Sequence, residues 1–336
     1  MTYSPVIAEA VFAHLQWRGC SYCFDEQAGV FSFALGVCEE RLKRAEVSIE
    51  VGEDSLVLYG AYPVRAAAGD GRMMARLAEY VCRVNGEIPG NACFEFCAAS
   101  GEVRFRVFAG GDDGIPTASA VRDCVCMADA ACTYYAHGFA RVLLDGASAR
   151  AALESVYRRW WGRAEALPDM EEARYSQPLA EGIASAMGDD AVFTFDRQRG
   201  VFLLGTKLNV PRMPFLPLRI HMEPNGYTVR AAFREEALER KSRTEMAFLA
   251  NSVNRSVPMG CFEADMDDGT LCFRRSFHGE DSWREVRRNI AGVRRVADFY
   301  AEAIAQIVFD GETAVNAIHQ TCEHWLKRFG PRIDNE

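Results

Sequence analysis

The residues best suited to chemistry come in small groups. Cys20-Ser21-Tyr22-Cys23 is a C-x-x-C pair, a spacing that serves thiol–disulfide exchange or half of a zinc site. Redox use wants the first thiol at a helix N-terminus, and zinc wants a second Cys/His pair close by. Here the pair leaves an amphipathic stretch and enters an aromatic, strand-like one, so structural thiols are the simpler reading. Cys124, Cys126 and Cys132 share one helical pattern and read as small core side chains. Near the C-terminus, His319, Cys322 and Glu323 fall on one helical face. His324 lies roughly 140° around from His319, at about 100° per residue. A three-ligand zinc site would therefore need help from elsewhere.

Arg284, Arg287, Arg288, Arg294 and Arg295 make a basic run in an acidic chain. Phosphate or nucleic-acid binding would favour such a run, yet Glu285 interrupts it and no aromatic platform alternates with it. It reads as a solvated helix face or a contact for an acidic partner. Asp265, Asp267 and Asp268 before Gly269 lack the alternate ligands and terminal Glu of a calcium loop, so a β-turn is expected. Asp25 and Asp196 sit where a strand meets a turn, which suits backbone capping better than paired-carboxylate catalysis. Trp160, Trp161 and Trp325 close the last helix of each half; they could anchor a partner, but sealing the two halves together is preferred. No G-x-S-x-G, P-loop, H-E-x-x-H or dinucleotide fingerprint occurs in the right context. No catalytic, cofactor-binding or metal site is expected, and the protein reads as a non-enzyme.

The elements that would position these groups follow from length and patterning. At 336 residues the chain has room for about two domains, each able to bury a core. Apolar content of 49% and charged content of 25% are ordinary globular values. Net charge is −9, with 16 Lys+Arg against 21 Asp+Glu in residues 1–168 and 22 against 26 in 169–336. Neither half is the basic domain that nucleic-acid binding usually needs. Nine of the twelve cysteines lie in the first half; scattered thiols fit a reducing compartment better than a disulfide framework. No secretory pattern opens the sequence and no run of 18 apolar residues occurs, so a cytoplasmic protein without membrane contact is expected.

Taken in order, residues 5–18 pattern as an amphipathic helix with Ser4 as cap and Pro5 in the first turn. Strands are expected at 22–26, 29–37, 45–51 and 56–62, then a helix from Met73 to Asn85. A hairpin follows at 92–97 and 102–108, a long helix to about Leu144, and a last helix to about Trp161. Residues 162–177, with Pro168 and several acids, are the expected linker. The order then repeats: a helix at 178–187, strands at 192–196, 201–208, 218–222 and 227–233, and a helix over 245–254. A hairpin at 261–266 and 270–277 and helices at 283–309 and 313–329 complete it.

Phe24-Asp25-Glu26-Gln27-Ala28-Gly29-Val30-Phe31 and Phe195-Asp196-Arg197-Gln198-Arg199-Gly200-Val201-Phe202 both read F-D-x-Q-x-G-V-F, 171 residues apart. Further identities keep one order. Asn85, Cys93, Phe94, Glu95, Gly101, Phe105 and Arg106 match Asn254, Cys261, Phe262, Glu263, Gly269, Phe273 and Arg274. Tyr135, Asp145, Gly146 and Trp160 match Tyr300, Asp310, Gly311 and Trp325. A tandem duplication is expected, with a first repeat at 1–161 and a second at 178–336. At the second repeat's counterpart of the C-x-x-C pair stand Ala191 and Thr194.

The unit, with its Val84-Asn85 and Val253-Asn254 helix ends followed by Phe94-Glu95/Phe105-Arg106 and Phe262-Glu263/Phe273-Arg274 hairpins, resembles the YbjN-like family of bacterial proteins. That family's fold is like that of type III secretion chaperones. The resemblance implies α+β repeats with an antiparallel sheet packed on helices, a tendency to pair, and no enzymatic activity. It departs from the chaperones in two ways: four strands precede the middle helix where they usually show three, and two units are fused where they are homodimers of one. The expectation is a binding or regulatory protein whose fused halves form an intramolecular pseudo-dimer and engage a protein partner. A thiol-dependent redox protein using Cys20 and Cys23 is one alternative. A phosphate or nucleic-acid binding regulator using the Arg284–Arg295 helix is another.

Overall fold

The recurring F-D-x-Q-x-G-V-F segment folds the same way twice. In a computed structural model, which describes residues 3–67, 69–110, 114–161, 175–187, 193–233, 240–257, 259–278 and 283–329, strands β1 (Tyr22–Asp25) and β2 (Val30–Gly36) flank the first copy. Asp25 Oδ1 accepts hydrogen bonds from the backbone N–H of Gln27 (2.9 Å) and Ala28 (3.0 Å). Asp196 Oδ1 does the same for Gln198 (3.0 Å) and Arg199 (3.1 Å). Gly29 and Gly200 close the turns at φ +66° and +63°, a region that penalises any Cβ. A Cβ there would also press on the rings of Tyr3 and Tyr175.

The chain is α+β. Among the described residues there are eight helices and two six-stranded antiparallel sheets. After α1 (Pro5–Trp17), β1 and β2 come β3 (Arg44–Val51), β4 (Ser55–Ala61), α2 (Gly71–Asn85), β5 (Ala92–Phe96), β6 (Val103–Gly110), α3 (Ala118–Asp145) and α4 (Ala149–Trp161). The second half runs α5 (Gln177–Met187), β7 (Phe193–Asp196), β8 (Val201–Lys207), β9 (Phe215–Glu223), β10 (Gly226–Phe233), α6 (Arg240–Asn254), β11 (Cys261–Ala264), β12 (Leu271–His278), α7 (Trp283–Asp310) and α8 (Ala314–Phe329). Strand order is β1-β2-β3-β4-β6-β5 in one sheet and β7-β8-β9-β10-β12-β11 in the other. Both the order of elements and the order of strands are therefore the same in the two halves.

Alternation decides which face of each sheet is buried. Phe31, Phe33 and Leu35 of β2, and Val47, Ile49 and Val51 of β3, point inward with little or no exposure, while Ser32, Ala34, Glu46 and Glu50 face out. Over β4, β5 and β6 the same face is covered by α2 and α3, where Leu77, Val81, Val84, Val125, Phe139 and Val142 are buried, and over β2 by Phe12 of α1, whose ring centroid lies 4.7 Å from that of Phe31. Asn85, at the end of α2, acts as a surrogate strand: its Nδ2 donates to the Phe94 carbonyl (2.9 Å) and its Oδ1 accepts from the Phe94 N–H (2.7 Å). That satisfies the outer edge of β5, which is why an amide side chain sits there fully buried.

Boundaries differ from the pattern in a few places. β9 begins at Phe215, three residues before the alternation suggests, because Pro217 interrupts the expected strand. The ladder to β10 begins only at Leu218↔Ala231, so no N–H is wanted from the proline there. Much of the expected linker, 162–174, lies outside the described residues, but its end does not. Gln177 already belongs to α5, Ser176 N–H donates to the Glu223 carbonyl (3.2 Å), and Tyr175 Oη donates to the Arg197 carbonyl (3.0 Å). Contacts divide the chain into two compact units, residues 1–170 with 251–261 and residues 171–250 with 262–336.

Candidate functional site

The groups singled out from sequence end up dispersed. Cys20 is half-buried after α1 and Cys23 is exposed on the edge strand β1. None of the twelve cysteines is in a disulfide. Ala191 lies outside the described residues, and Thr194 is on β7. Cys124 and Cys132 are core residues of α3, whereas Cys126 on the same helix is exposed, against the expectation that all three pack inside. Asp265 Oδ1 accepts from the N–H of Asp267 (2.8 Å) and Asp268 (3.3 Å), which makes this segment a turn. On α8 the exposed His319 reaches Glu323 at 3.8 Å, and among the described residues no three metal-binding side chains converge. Trp160 and Trp325 are each held by their own long helix. Trp160 Nε1 donates to the Tyr134 carbonyl (3.1 Å), and Trp325 packs edge-on to Phe299, with ring centroids 5.8 Å apart. Both remain partly exposed. The side chains of Trp161 and Arg284 lie outside the described residues.

Beside Asn85, Glu95 and Arg106, the first unit holds polar groups that no local spacing singles out. Glu39, in the β2–β3 connection, is nearly inaccessible and accepts from Arg41 Nε (3.0 Å) and Arg159 Nη1 (3.1 Å). It also bonds His137 Nδ1 (2.9 Å). Burial works against its charge, but the hydrogen bonds from His137 and Arg41 outweigh this and hold its pKa below the ordinary glutamate value. Its stabilising effect is therefore fully present above the unfolded value of about 4.3 and is lost as pH falls through the depressed folded pKa. We expect Glu39→Gln to cost about 1–2 kcal/mol at neutral pH, with wild type and variant converging only as pH falls through that depressed folded pKa; a urea unfolding series from neutral to acid pH is the check. A second knot has the reverse sign. Glu87 after α2 accepts from Tyr135 Oη (2.9 Å) and Tyr157 Oη, yet burial raises its pKa more than these bonds lower it. Cys97, at the β5–β6 turn, is a thiol whose pKa falls. Burial opposes the thiolate, while the Ser100 hydroxyl, the N–H groups of Ser100 and Ala99, and Arg255 together favour it.

The outward surface of the second unit differs in kind. Leu203 on β8 and Phe215 on β9 are 45% and 61% exposed. Phe215 pairs with Lys207 and lays its ring over Gly205, where a Cβ would clash with it. At the same places in the first unit, the third residue of β2 and the first of β3, stand Ser32 and Arg44. His221, further along β9, is pushed down to about 4 by burial and by the charges of Arg230 and Arg219, so it is neutral at physiological pH. The long helices diverge as well. Arg287, Arg288, Arg294 and Arg295 lie exposed along one side of α7, while the same positions of the equally long α3 hold Arg122, Asp123, Asp129 and Ala130. Arg294 Nη2 donates to the carbonyl of Lys207 (3.1 Å), so the arginine row and the β8–β9 end meet there. The outward Leu203–Phe215 pair and the arginine row of α7 are the candidate binding surfaces.

No family model matches the chain, and a search of curated proteins finds no match. No helix among the described residues is long and apolar enough to cross a membrane.

Proposed function

We propose that this is a non-enzymatic binding or regulatory protein with a type III secretion chaperone-like fold. In this reading it arose by tandem duplication of a YbjN-like unit whose two copies pair within the chain, and it engages a protein partner through the second unit. The shared element and strand order support the duplication. A fused pair frees one copy's surface to diverge while the other keeps the ancestral, solvated character. The observation that carries the reading is that Leu203 and Phe215 stand exposed where the first unit has Ser32 and Arg44. Large side chains on a sheet's outer face cost solubility and, when clustered, mark interaction sites.

The test restores the first unit's residues. Affinity capture from an extract of the source cells, quantified by mass spectrometry, is compared for the wild type and for Leu203→Ser with Phe215→Arg. A specific protein recovered in fixed ratio by the wild type and reduced about tenfold or more with the double variant supports the reading. Equal recovery by both would overturn the assignment of this surface.

A further inference from the structure

We infer that the arginine row of α7, ending at Lys207, is a docking track for an acidic segment of a partner polypeptide. The inference rests on the protein-binding reading above and names the chemistry of the partner. Positions 287, 288, 294 and 295 form two rows, each pair of like position two helical turns apart, over about 12 Å of helix at 1.5 Å per residue. Arg288 and Arg295 enter no ion pair among the described residues. Ala291 lies between the rows, leaving the track open. At the same positions of the first unit, acids alternate with the cations: Arg122 pairs with Asp123 (3.3 Å), and Asp129 pairs with Arg18. Where the first unit has Asp123 and Asp129, the second has Arg288 and Arg294.

Carboxylates fit the guanidinium fork, two hydrogen bonds at a time. A helix or strand of a partner carrying acids every one to two turns, or at alternate residues, would reach both rows. Nucleic acid fits less well. Among the described residues of α7, no exposed aromatic interleaves with the arginines to stack a base.

The experiment is fluorescence anisotropy on the full chain at low salt. The probe is a labelled peptide of alternating glutamate and alanine, with a glutamine–alanine peptide as neutral control and oligothymidylate of equal charge as competitor. The acidic peptide should bind, the neutral one at least about tenfold more weakly, and Arg288→Glu with Arg295→Glu should lose about tenfold or more. Both sites are exposed, so an unchanged melting profile will accompany the loss. Peptide binding is read without the native partner, so a negative result here, with that partner still captured by the wild type and lost by the Leu203→Ser, Phe215→Arg variant, overturns the track and leaves the apolar site standing. The inference is overturned by absence of binding to the acidic peptide, by a loss smaller than tenfold on charge reversal, or by preferential binding of oligothymidylate.

Discussion

Replacing Glu95 with alanine should destabilise the first unit by about 3–5 kcal/mol. Glu95 on β5 is 0% exposed and bonds Arg106, itself 3% exposed, and Arg104 Nε (2.7 Å), both on the neighbouring strand β6. Taking the carboxylate away strands the buried Arg106 guanidinium beside a second arginine in a medium that cannot solvate it. The second half keeps the buried pair and takes its second arginine from another strand: Glu263 on β11 accepts from Arg274 Nε on β12 (2.8 Å) and lies 3.2 Å from Arg230 Nη1 on β10. Glu263→Ala should therefore behave alike. Urea unfolding followed by circular dichroism measures both, and the solvated pair Arg212–Asp310 (2.7 Å) supplies the contrast, since breaking it should barely move the midpoint. Replacing Glu95 and Arg106 together by leucine and methionine should recover most of the loss, because two apolar groups leave no charge behind. A loss below about 1 kcal/mol for Glu95→Ala would mean that water reaches the guanidinium once the carboxylate is gone.

That ion pair shows where sequence reading succeeds and where it stops. Glu95 and Arg106 stood out because the same letters recur as Glu263 and Arg274, and their hairpin was legible from alternation. That they bond one another was not, since it depends on the strand register, in which Cys93 faces Arg106 and Glu95 faces Arg104. The helices and most strands were legible because capping residues and turn glycines act locally: Ser4 accepts from the Ile7 N–H, and Gly146 and Gly311 end the long helices at φ +64° and +67°. Pro217 hid the start of β9 because the rule against proline holds only where a ladder needs the N–H. The Glu39 knot was invisible for another reason. Its donors His137 and Arg159 lie 98 and 120 residues away, so no spacing announces them. The arginine row is legible as a run, but that its members share one side of α7 follows only from helix geometry.

Gly138→Ala should destabilise the first unit by about 1–3 kcal/mol, although alanine is the better helix former. Gly138 lies inside α3 against Tyr80 of α2, and a Cβ there would stand closer than 3.0 Å to the Tyr80 hydroxyl and its ring carbon. Tyr80 cannot swing aside: it is fully buried, its hydroxyl donates to the Tyr135 carbonyl (3.3 Å), and its ring stands edge-on to Phe139, 4.8 Å between centroids. The second half solves the same packing problem with the volumes exchanged. α6 and α7 match α2 and α3 in length, and at the tenth and twenty-first positions they carry Leu249 and Ala303 in place of Tyr80 and Gly138, both buried. The small residue on one helix thus goes with the large one on the other. A double-mutant cycle tests this directly, with urea midpoints for Gly138→Ala, Tyr80→Leu and the pair. The two changes should compensate, with a coupling of about 1–2 kcal/mol, because the leucine vacates the space that the new methyl group needs. Strict additivity would instead mean that α2 and α3 separate to admit the methyl group, and the exchange of volumes between the halves would then have no energetic basis.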